Sequence, residues 1–262
     1  MKTSLIIATY NWPGALELIF LSIIKQSVIT DEIIIADDGS TNETKILIEA
    51  YKKKFKNKLI HIWQKDDGFQ KTSILNKAIL LAKGDYIIQI DGDIVLHKKF
   101  ISDHIKNAQE KTFIHGSRVF LNKKITQKAI KNLSFRFSFI NNGISNRLNG
   151  IRSTFLSKFF SRKDQKLKGT RGCNFSFWKK DFMAINGYNE DMKGWGKEDT
   201  ELSVRLINIG LKKYKLKCLA ICYHLDHDIS IKKELNINNT ILANTISENK
   251  ISCINGINKY VS

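Results

Sequence analysis

Along its first hundred residues the chain alternates short apolar runs with amphipathic stretches. SLIIAT (4–9) reads as a buried strand. From Gly14 to Gln26, Leu16, Ile19, Phe20 and Ile23 recur at helical spacing. EIIIAD (32–37) reads as a second strand, and Ser40 or Thr41 can cap a helix that carries Ile46, Ala50 and Tyr51. LIHIW (59–63) is a third strand, Thr72 to Lys83 a helix closed by Gly84, and DYIIQID (85–91) a fourth strand. Strands alternating with helices predict an α/β fold whose mostly parallel central sheet is flanked by helices. Such sheets bind ligands outside the carboxyl ends of their strands. The polar residues that follow strand ends are Thr9 to Asn11, Asp37 and Asp38, and Asp91 to Asp93.

The pattern changes between about Asn122 and Lys168. There Phe135, Phe137, Phe139, Phe155, Phe159 and Phe160 lie among Arg136, Arg147, Arg152, Lys158, Arg162 and Lys163. RGCNFSFW (171–178) then reads as a strand. Glu198 to Ile209 fits a helix, with Leu202, Leu206 and Ile209 on one face and Gly210 at its end. KYKLKCLAICYH (213–224) reads as a single strand. The last thirty or so residues are polar and Asn-rich, and are expected to pack weakly or fray.

Composition narrows the class. With 262 residues, 42% of them hydrophobic, and a single Pro, the chain suits one large globular domain or two small ones, without a linker. The amino-terminal apolar run is too short for a signal segment and is cut by Asn11, Trp12 and Pro13. No apolar stretch is long enough to cross a bilayer, so a cytoplasmic protein is expected. Cys173, Cys218, Cys222 and Cys253 show no tight spacing and read as reduced thiols, with a zinc site as the lesser alternative. Lys and Arg total 43 against 25 Asp and Glu, a net charge of +18. That charge draws polyanions: nucleic acid, anionic lipid or phosphorylated ligands.

Several short stretches carry candidate chemistry. In IDGDI, Asp91 and Asp93 lie two apart at a strand end, and both carboxylates point to one side if strand geometry persists. Side by side they repel unless a cation such as Mg²⁺ or Mn²⁺ sits between them; Asp-Gly-Asp is equally turn chemistry. In ADDGST, an acidic residue after a strand can hold a ribose or base, or the stretch can simply turn and cap a helix. No GxGxxG and no GxxxxGK[ST] is present, which argues against a dinucleotide fold and a P-loop. Lys71, just before a helix, is placed to meet phosphates, or is a solvated lysine. In GWGKED, two glycines let an indole project from a loop, and Glu198 and Asp199 open a helix whose dipole favours their anions. Such a carboxylate can accept a proton from a bound hydroxyl; the same residues also suit an ordinary helix start with a tryptophan in the core. In CYHLDHD, His224 and His227 follow a strand and can complete an oxygen-rich metal site, or be packed imidazoles. There is no GxSxG nucleophile elbow.

Taken in order, IIATYN, ADDGS, DGFQKTSILNKAI, IDGDI, RGCNFSFWKKDFMAINGYNE, GWGKEDTEL and YHLDHD resemble a bacterial family 2 glycosyltransferase of the GT-A fold. They are most similar to the subgroup with a galactosyltransferase-like WGxED acceptor half. The resemblance covers roughly residues 3 to 228. It implies a single GT-A domain over 1–228, with a Rossmann-like nucleotide-sugar half (1–121), the basic aromatic insert (122–168), an acceptor half (169–228), and a tail (229–262). It implies that Thr9, Asn11 and Asp38 contact uridine, and that Asp91 lies near the ribose or metal. Asp93 would bind Mn²⁺ or Mg²⁺, with His227 as a further ligand and His224 as second choice. Asp199 matches the catalytic base, Glu198 a residue binding hydroxyls beside it, and Trp195 with Gly196 the acceptor platform. Where many relatives have Arg before the Asn of the third motif, this chain has Leu75-Asn76, which leaves Lys71 as the cation beside the diphosphate.

The implied activity is inverting transfer from a UDP-sugar to a hydroxyl of a glycan or lipid-linked acceptor, in polysaccharide or lipopolysaccharide synthesis. The insert would bring the enzyme to an anionic membrane surface at the cytoplasmic face, with no nucleic-acid partner. A metal-dependent nucleotidyltransferase or a basic nucleic-acid-binding protein are the alternatives; the first needs no aromatic platform beside a base, and the second does not explain Asp-x-Asp or the clustered acids.

Overall fold

The computed structural model describes residues 1–56, 58–138, 142–227 and 235–261. Phe139 of the aromatic stretch and Asp228 of YHLDHD lie outside them. Strand β1 (Thr3–Thr9) is buried at every position. It runs parallel to β2 (Glu32–Asp37) on one side and to β4 (Tyr86–Asp91) on the other, and β2 pairs in parallel with β3 (Leu59–Trp63). Of these, β1, β2 and β4 read as nearly unbroken apolar runs because both their faces are covered, whereas β3 at the edge is only partly buried. Leu5 and Ile7 share a core with Leu16, Ile19, Phe20 and Ile23 of α1 (Pro13–Ile24) and with Ile48 and Tyr51 of α2 (Asn42–Lys52). Ile6 and Ala8, on the opposite face, pack with Ile74, Leu75, Ala78 and Ile79 of α3 (Lys71–Leu81). The period of two along β1 thus divides the molecule into two apolar layers.

On α2 the expected face is displaced. Thr44, Ile48 and Tyr51 are buried, whereas Ile46 and Ala50 are exposed. Two residues of helix turn a side chain by about 200°, so Ile46 and Ile48 cannot share a face. Thr41 sits at the N-cap, but its side chain makes no capping hydrogen bond.

Beyond β4 the chain adds β5 (Ile94–Leu96), α4 (Phe100–Asn107), β6 (Thr112–His115), β7 (Ser117–Leu121), α5 (Lys123–Lys131), β8 (Ile144–Ser145), α6 (Thr154–Phe160) and β9 (Arg162–Asp164). There follow β10 (Phe175–Trp178), α7 (Lys179–Ala184), α8 (Glu198–Asn208), β11 (Lys212–Lys215), β12 (Ile221–His224) and α9 (Leu235–Ser247). The large sheet has the order β3-β2-β1-β4-β10-β6-β11-β9. It is parallel from β3 to β4, antiparallel at β4-β10 and β10-β6, parallel at β6-β11 and antiparallel at its β9 edge. A second sheet, β5-β12-β7-β8, stands beside it.

Three expectations need correction. KYKLKCLAICYH is two strands: β11 lies in the large sheet and β12 in the small one. Cys218 (φ 59°) and Ala220 (φ 46°) take left-handed backbone between them, and buried Leu216 and Leu219 anchor the crossing. Of RGCNFSFW only Phe175–Trp178 is strand; Gly172–Asn174 form a 3₁₀ turn. The described residues of the C-terminal segment, 235–261, pack against the rest of the protein. Ile257 is buried in the layer of α3, and the Tyr260 hydroxyl donates to Glu190 Oε2 at 2.9 Å. Asn186 Nδ2 donates to Cys253 O at 2.8 Å, and Glu190 N–H to Asn255 O at 2.8 Å. Asparagine-rich sequence reads as solvated, yet here side-chain amides and backbone groups satisfy one another, so packing needs few apolar residues.

Within the insert, Phe135 and Phe137 pack partly buried on the core of β7 and β12, whereas Phe155, Phe159 and Phe160 on α6 are exposed. The four cysteines are free thiols.

Candidate active site

The carboxyl ends of β1, β2 and β4 open into a cleft of about 880 Å³. Its far wall is made by the residues that precede β10 and α8 and by those that follow β12. Thr9, Asp38, Lys71, Asp91, Asp93, Trp195, Gly196, Glu198, Asp199, His224 and His227 all line it. Asn11 does not: its backbone is left-handed (φ 44°), its N–H donates to Ser40 Oγ at 2.9 Å, and its Oδ1 accepts from Thr41 N–H at 2.8 Å. It ties the first βα turn to the second, and Tyr10 takes its place in the wall.

Asp38 is buried and accepts hydrogen bonds from Gln64 Nε2 (2.6 Å) and Gln70 N–H (2.8 Å). Burial, against those two donors, pushes its pKa up to about 6. Asp37 beside it is bonded to Ser40 N–H and His61, so it holds the turn. Thr9 Oγ1 is buried without a hydrogen-bond partner at the floor of this corner.

Asp91 and Asp93 do face the same cleft, joined by a turn rather than by continued strand. Neither Gly92 nor Asp93 takes positive φ, so the turn is not of type I′. A Cβ at Gly92 would lie 2.8 Å from Ala8 O, which accounts for the glycine. The two carboxylates have different partners. Asp91 Oδ1 is 2.8 Å from Lys71 Nζ, which also lies 3.7 Å from Glu198 Oε1. Burial lowers the Lys71 pKa, but Asp91, Asp199 and Glu198 outweigh it, so the ammonium is held well above its ordinary value. Burial raises the Asp91 pKa against the pull of Lys71.

Asp93 Oδ2 lies 2.9 Å from His227 Nε2 and 3.2 Å from His224 Nε2. Burial disfavours its anion, yet the two histidines and Lys71 more than compensate and lower its pKa. Asp93 Oδ1 is buried with no hydrogen-bond partner. One ligand atom from each of Asp93, His224 and His227 falls within 4.8 Å of the others. A buried, unpartnered carboxylate oxygen beside two imidazoles is a donor set that fits Mn²⁺ or a similar divalent ion. Both histidines lie in this cluster; β12 carries the first, and Leu225 N–H, bonded to Asp93 O, sets the path to the second.

The start of α8 forms the opposite wall. Gly194 (φ 68°), Gly196 (φ 110°) and Lys197 (φ 77°) take left-handed backbone in succession, which turns Trp195 toward the cleft. Glu198 Oε2 accepts from Gly196 N–H at 3.0 Å. Burial first, then the neighbouring Asp199, lift the Glu198 pKa to about 7. Asp199 Oδ1 accepts from the Tyr188 hydroxyl at 3.1 Å. A Cβ on Gly172 would lie 2.2 Å from that same oxygen, so Asp199 occupies space that only glycine leaves open. From the C-terminal segment, Asn238 Nδ2 donates to Lys193 O and Gly196 O, both at 2.9 Å. The Gly-Trp-Gly loop is therefore fastened to α9.

Sequence reasoning passed over Tyr10, Phe69, Arg118 and Arg171, which also line the cleft. Alternation along β7 could have pointed to Arg118, since Arg118 and Phe120 share its less buried face. Arg171 stands next to Gly172 in a motif that was read as strand.

The profile of Glycosyl transferase family 2 matches residues 4–177, more than half of the chain. A second profile, the N-terminal domain of galactosyltransferase, matches residues 153–228. Hyaluronan synthase of Pasteurella multocida is 26% identical over 223 residues, covering 79% of this chain and 23% of that protein. Chondroitin synthase of Escherichia coli is 24% identical over 224 residues, covering 79% and 32%. The chain thus spans about a quarter to a third of the length of these relatives. Among solved structures, S. aureus TarS 1-349 in complex with UDP superimposes with a TM-score of 0.62 at 17% identity, over 93% of this chain and 64% of that one. GalNAc-T7 with UDP, GalNAc and Mn²⁺ gives 0.63 at 16% identity, over 87% and 44%. These likenesses show the GT-A fold.

Proposed function

The chain belongs to glycosyl transferase family 2, and on that premise we propose that it moves a sugar from a UDP-sugar to a hydroxyl of a glycan or lipid-linked acceptor, with inversion. One observation carries this reading: the Asp93–His224–His227 cluster and the Glu198–Asp199 pair line one and the same cleft. Residues 1–121 would bind the nucleotide sugar, with Thr9 and Asp38 toward the nucleoside and Lys71 toward the diphosphate. Asn11 would act through the turn it holds. Residues 169–228 would form the acceptor side, with Trp195 and Gly196 as its platform. From 235 to 261 the tail would act with this unit, since Asn238 of α9 fastens the platform loop.

In the proposed step, Asp199 takes the proton from the acceptor hydroxyl. That oxygen attacks the anomeric carbon from the side opposite the diphosphate. The carbon–oxygen bond to the diphosphate breaks, and UDP leaves with the bonding electron pair. Tyr188 would orient Asp199 by its hydrogen bond, and Lys71 would exchange its carboxylate partners for phosphate oxygens. A divalent ion held by Asp93, His224 and His227 would offset charge on the diphosphate when bound. Each residue has one task, and no covalent enzyme intermediate is needed.

The setting we propose is synthesis of cell-surface polysaccharide or lipopolysaccharide at the cytoplasmic face of a membrane. No helix among the described residues is long and apolar enough to cross a membrane. Residues 122–168 would meet an anionic surface through exposed Phe155, Phe159 and Phe160, flanked by Lys158, Arg162 and Lys163. The direct test of the activity is a screen of UDP-sugars for hydrolysis with and without Mn²⁺, which needs no acceptor. Release of UDP from at least one sugar, abolished by EDTA, is the expected result. No release from any of them would sink the UDP-sugar assignment, and release of pyrophosphate would point to nucleotidyl transfer.

A further inference from the structure

The cleft contains a pair of cations that the proposed reaction does not use. Among the described residues, the arginines paired with a carboxylate are Arg152, Arg162 and Arg205. Arg118 and Arg171 have no such partner among the described residues, yet both line the cleft. Arg118 is partly buried. It stacks over Phe120 at 4.3 Å and gives one Nη1 hydrogen bond, to the sulfur of Cys173 at 3.2 Å. A thiol is a weak acceptor, and burial holds Cys173 protonated, its pKa pushed up to about 12. Arg118 Nε is buried with no hydrogen-bond partner at all. Burial first, then the charge of Arg118, lower the pKa of Arg171. Two guanidiniums that feel each other's charge, one with an orphaned buried donor, incur a cost that a bound anion would remove.

Their position says which anion. At the carboxyl edge of the large sheet, the order runs from Asp38 after β2, through Thr9 of β1 and Asp91 of β4, to the residues before β10. Arg171 and Gly172 stand at this last place, and Gly172 packs against Asp199. Thr170 Oγ1 is 3.0 Å from Thr200 Oγ1, which binds the same segment to the start of α8. Arg118 reaches the spot from the second sheet, two residues before Phe120, which pairs with His224. The arginines are thus across the carboxylates from the nucleoside corner and next to the proposed base.

We propose that Arg118 and Arg171 form an anion subsite on the acceptor side of the cleft, which holds a carboxylate or phosphate group of the acceptor beside the hydroxyl that Asp199 deprotonates. The assignment rests on the reading of Asp199 as base and of its wall as the acceptor side. A forked guanidinium pair takes either planar carboxylate or phosphate through charge-assisted hydrogen bonds. An uncharged acceptor would leave both cations as they stand.

The experiment measures glycoside binding by saturation-transfer NMR and titration, with and without UDP and Mn²⁺. The probes are methyl β-glucuronide, methyl β-glucoside 6-phosphate and uncharged methyl β-glucoside. The unaltered protein should bind one charged probe roughly tenfold more tightly than the uncharged one, and which one separates the carboxylate from the phosphate source. Arg171→Gln and Arg118→Gln should each remove that preference, while UDP affinity changes by no more than about twofold. Equal binding of all three probes, no binding of any, or a preference kept in both variants overturns the proposal. So does a loss of UDP affinity of about tenfold in the variants, which would assign the pair to the donor diphosphate. Should UDP fail to bind the unaltered protein, the donor reading fails on its own, because the titrations without UDP still decide the role of the arginines.

Discussion

A Cβ at position 172 would sit 2.2 Å from Asp199 Oδ1, so the proposed base has its place only because residue 172 is glycine. Tyr188 donates to that same oxygen, and together they fix where the carboxylate stands. Asp199→Asn keeps the shape and removes the proton acceptor. Turnover should fall by about 10²–10⁴-fold, with UDP affinity little changed by calorimetry; near-normal turnover would move the role to Glu198. Asp93 makes the complementary case. Its Oδ1 is buried without a hydrogen bond while Oδ2 faces both histidines. Asp93→Ala should abolish Mn²⁺-supported UDP binding and leave the far-ultraviolet circular dichroism intact, and unchanged binding would remove Asp93 from the metal site. The candidate residues themselves were legible in the sequence as an ordered set of motifs, since each motif alone suited a turn or a helix start as well. Their partners were not. Nothing in IDGDI says that Asp91 meets Lys71 while Asp93 meets two histidines more than a hundred residues away.

At the scale of elements, α8 shows how the active wall is held. Arg205 is fully buried and clasps Glu201 one turn earlier through two bonds, at 2.8 and 2.7 Å. Its other terminal nitrogen donates to Ile185 O and Gly187 O, and Thr245 of α9 donates to Glu201. The Arg205–Glu201 pair therefore joins α8, the turn after α7 and the C-terminal segment. Arg205→Met leaves a buried carboxylate and two carbonyls without their donor. Unfolding free energy should drop by about 3–5 kcal/mol in urea melts, and a loss below about 1 kcal/mol would show that the clasp is replaceable. The helix itself was visible from Leu202, Leu206 and Gly210. The clasp was not, since charged residues four apart usually mark a solvated face. The same limit applied to the C-terminal segment, where Asn238 donates to Lys193 O and Gly196 O and the distant Asn186 donates to Cys253 O.

Across the whole molecule, charge and pH act together. The Glu198 pKa is lifted by burial and by Asp199 from 4.5 to about 7, and that of Asp38 by burial from 3.8 to about 6. Between those values the folded chain binds more protons than the unfolded one, so the stability these groups allow is full at low pH and falls as pH rises toward 7. In metal-free protein Glu198→Gln should raise stability at pH 8, on the order of 1–3 kcal/mol, and change it little near pH 4. An equal effect at both pH values, followed by thermal melting, would contradict the assignment. The net charge of +18 and the exposed phenylalanines of α6 make a second prediction. Co-sedimentation with vesicles should require anionic lipid, weaken with salt, and drop when Phe155, Phe159 and Phe160 are changed to Ser in a folded protein. Each cation near the surface adds about 1 kcal/mol. Equal recovery in the supernatant with anionic and neutral vesicles would refute membrane docking.

What the sequence determined by itself was local: the strands and helices of the first half, the residues at the strand ends, and the left-handed glycines that turn Trp195. Periodicity and backbone preference act over a few residues, so they can be read in order along the chain. Tertiary structure decided the rest. It broke residues 213–224 into two sheets at Cys218 and Ala220, bound the C-terminal segment to the platform loop, and set Arg118 beside Arg171 in the cleft. These outcomes depend on the burial of groups far apart in the chain, where the cost of an unpaired polar atom selects its partner. That selection is made only when the chain is folded.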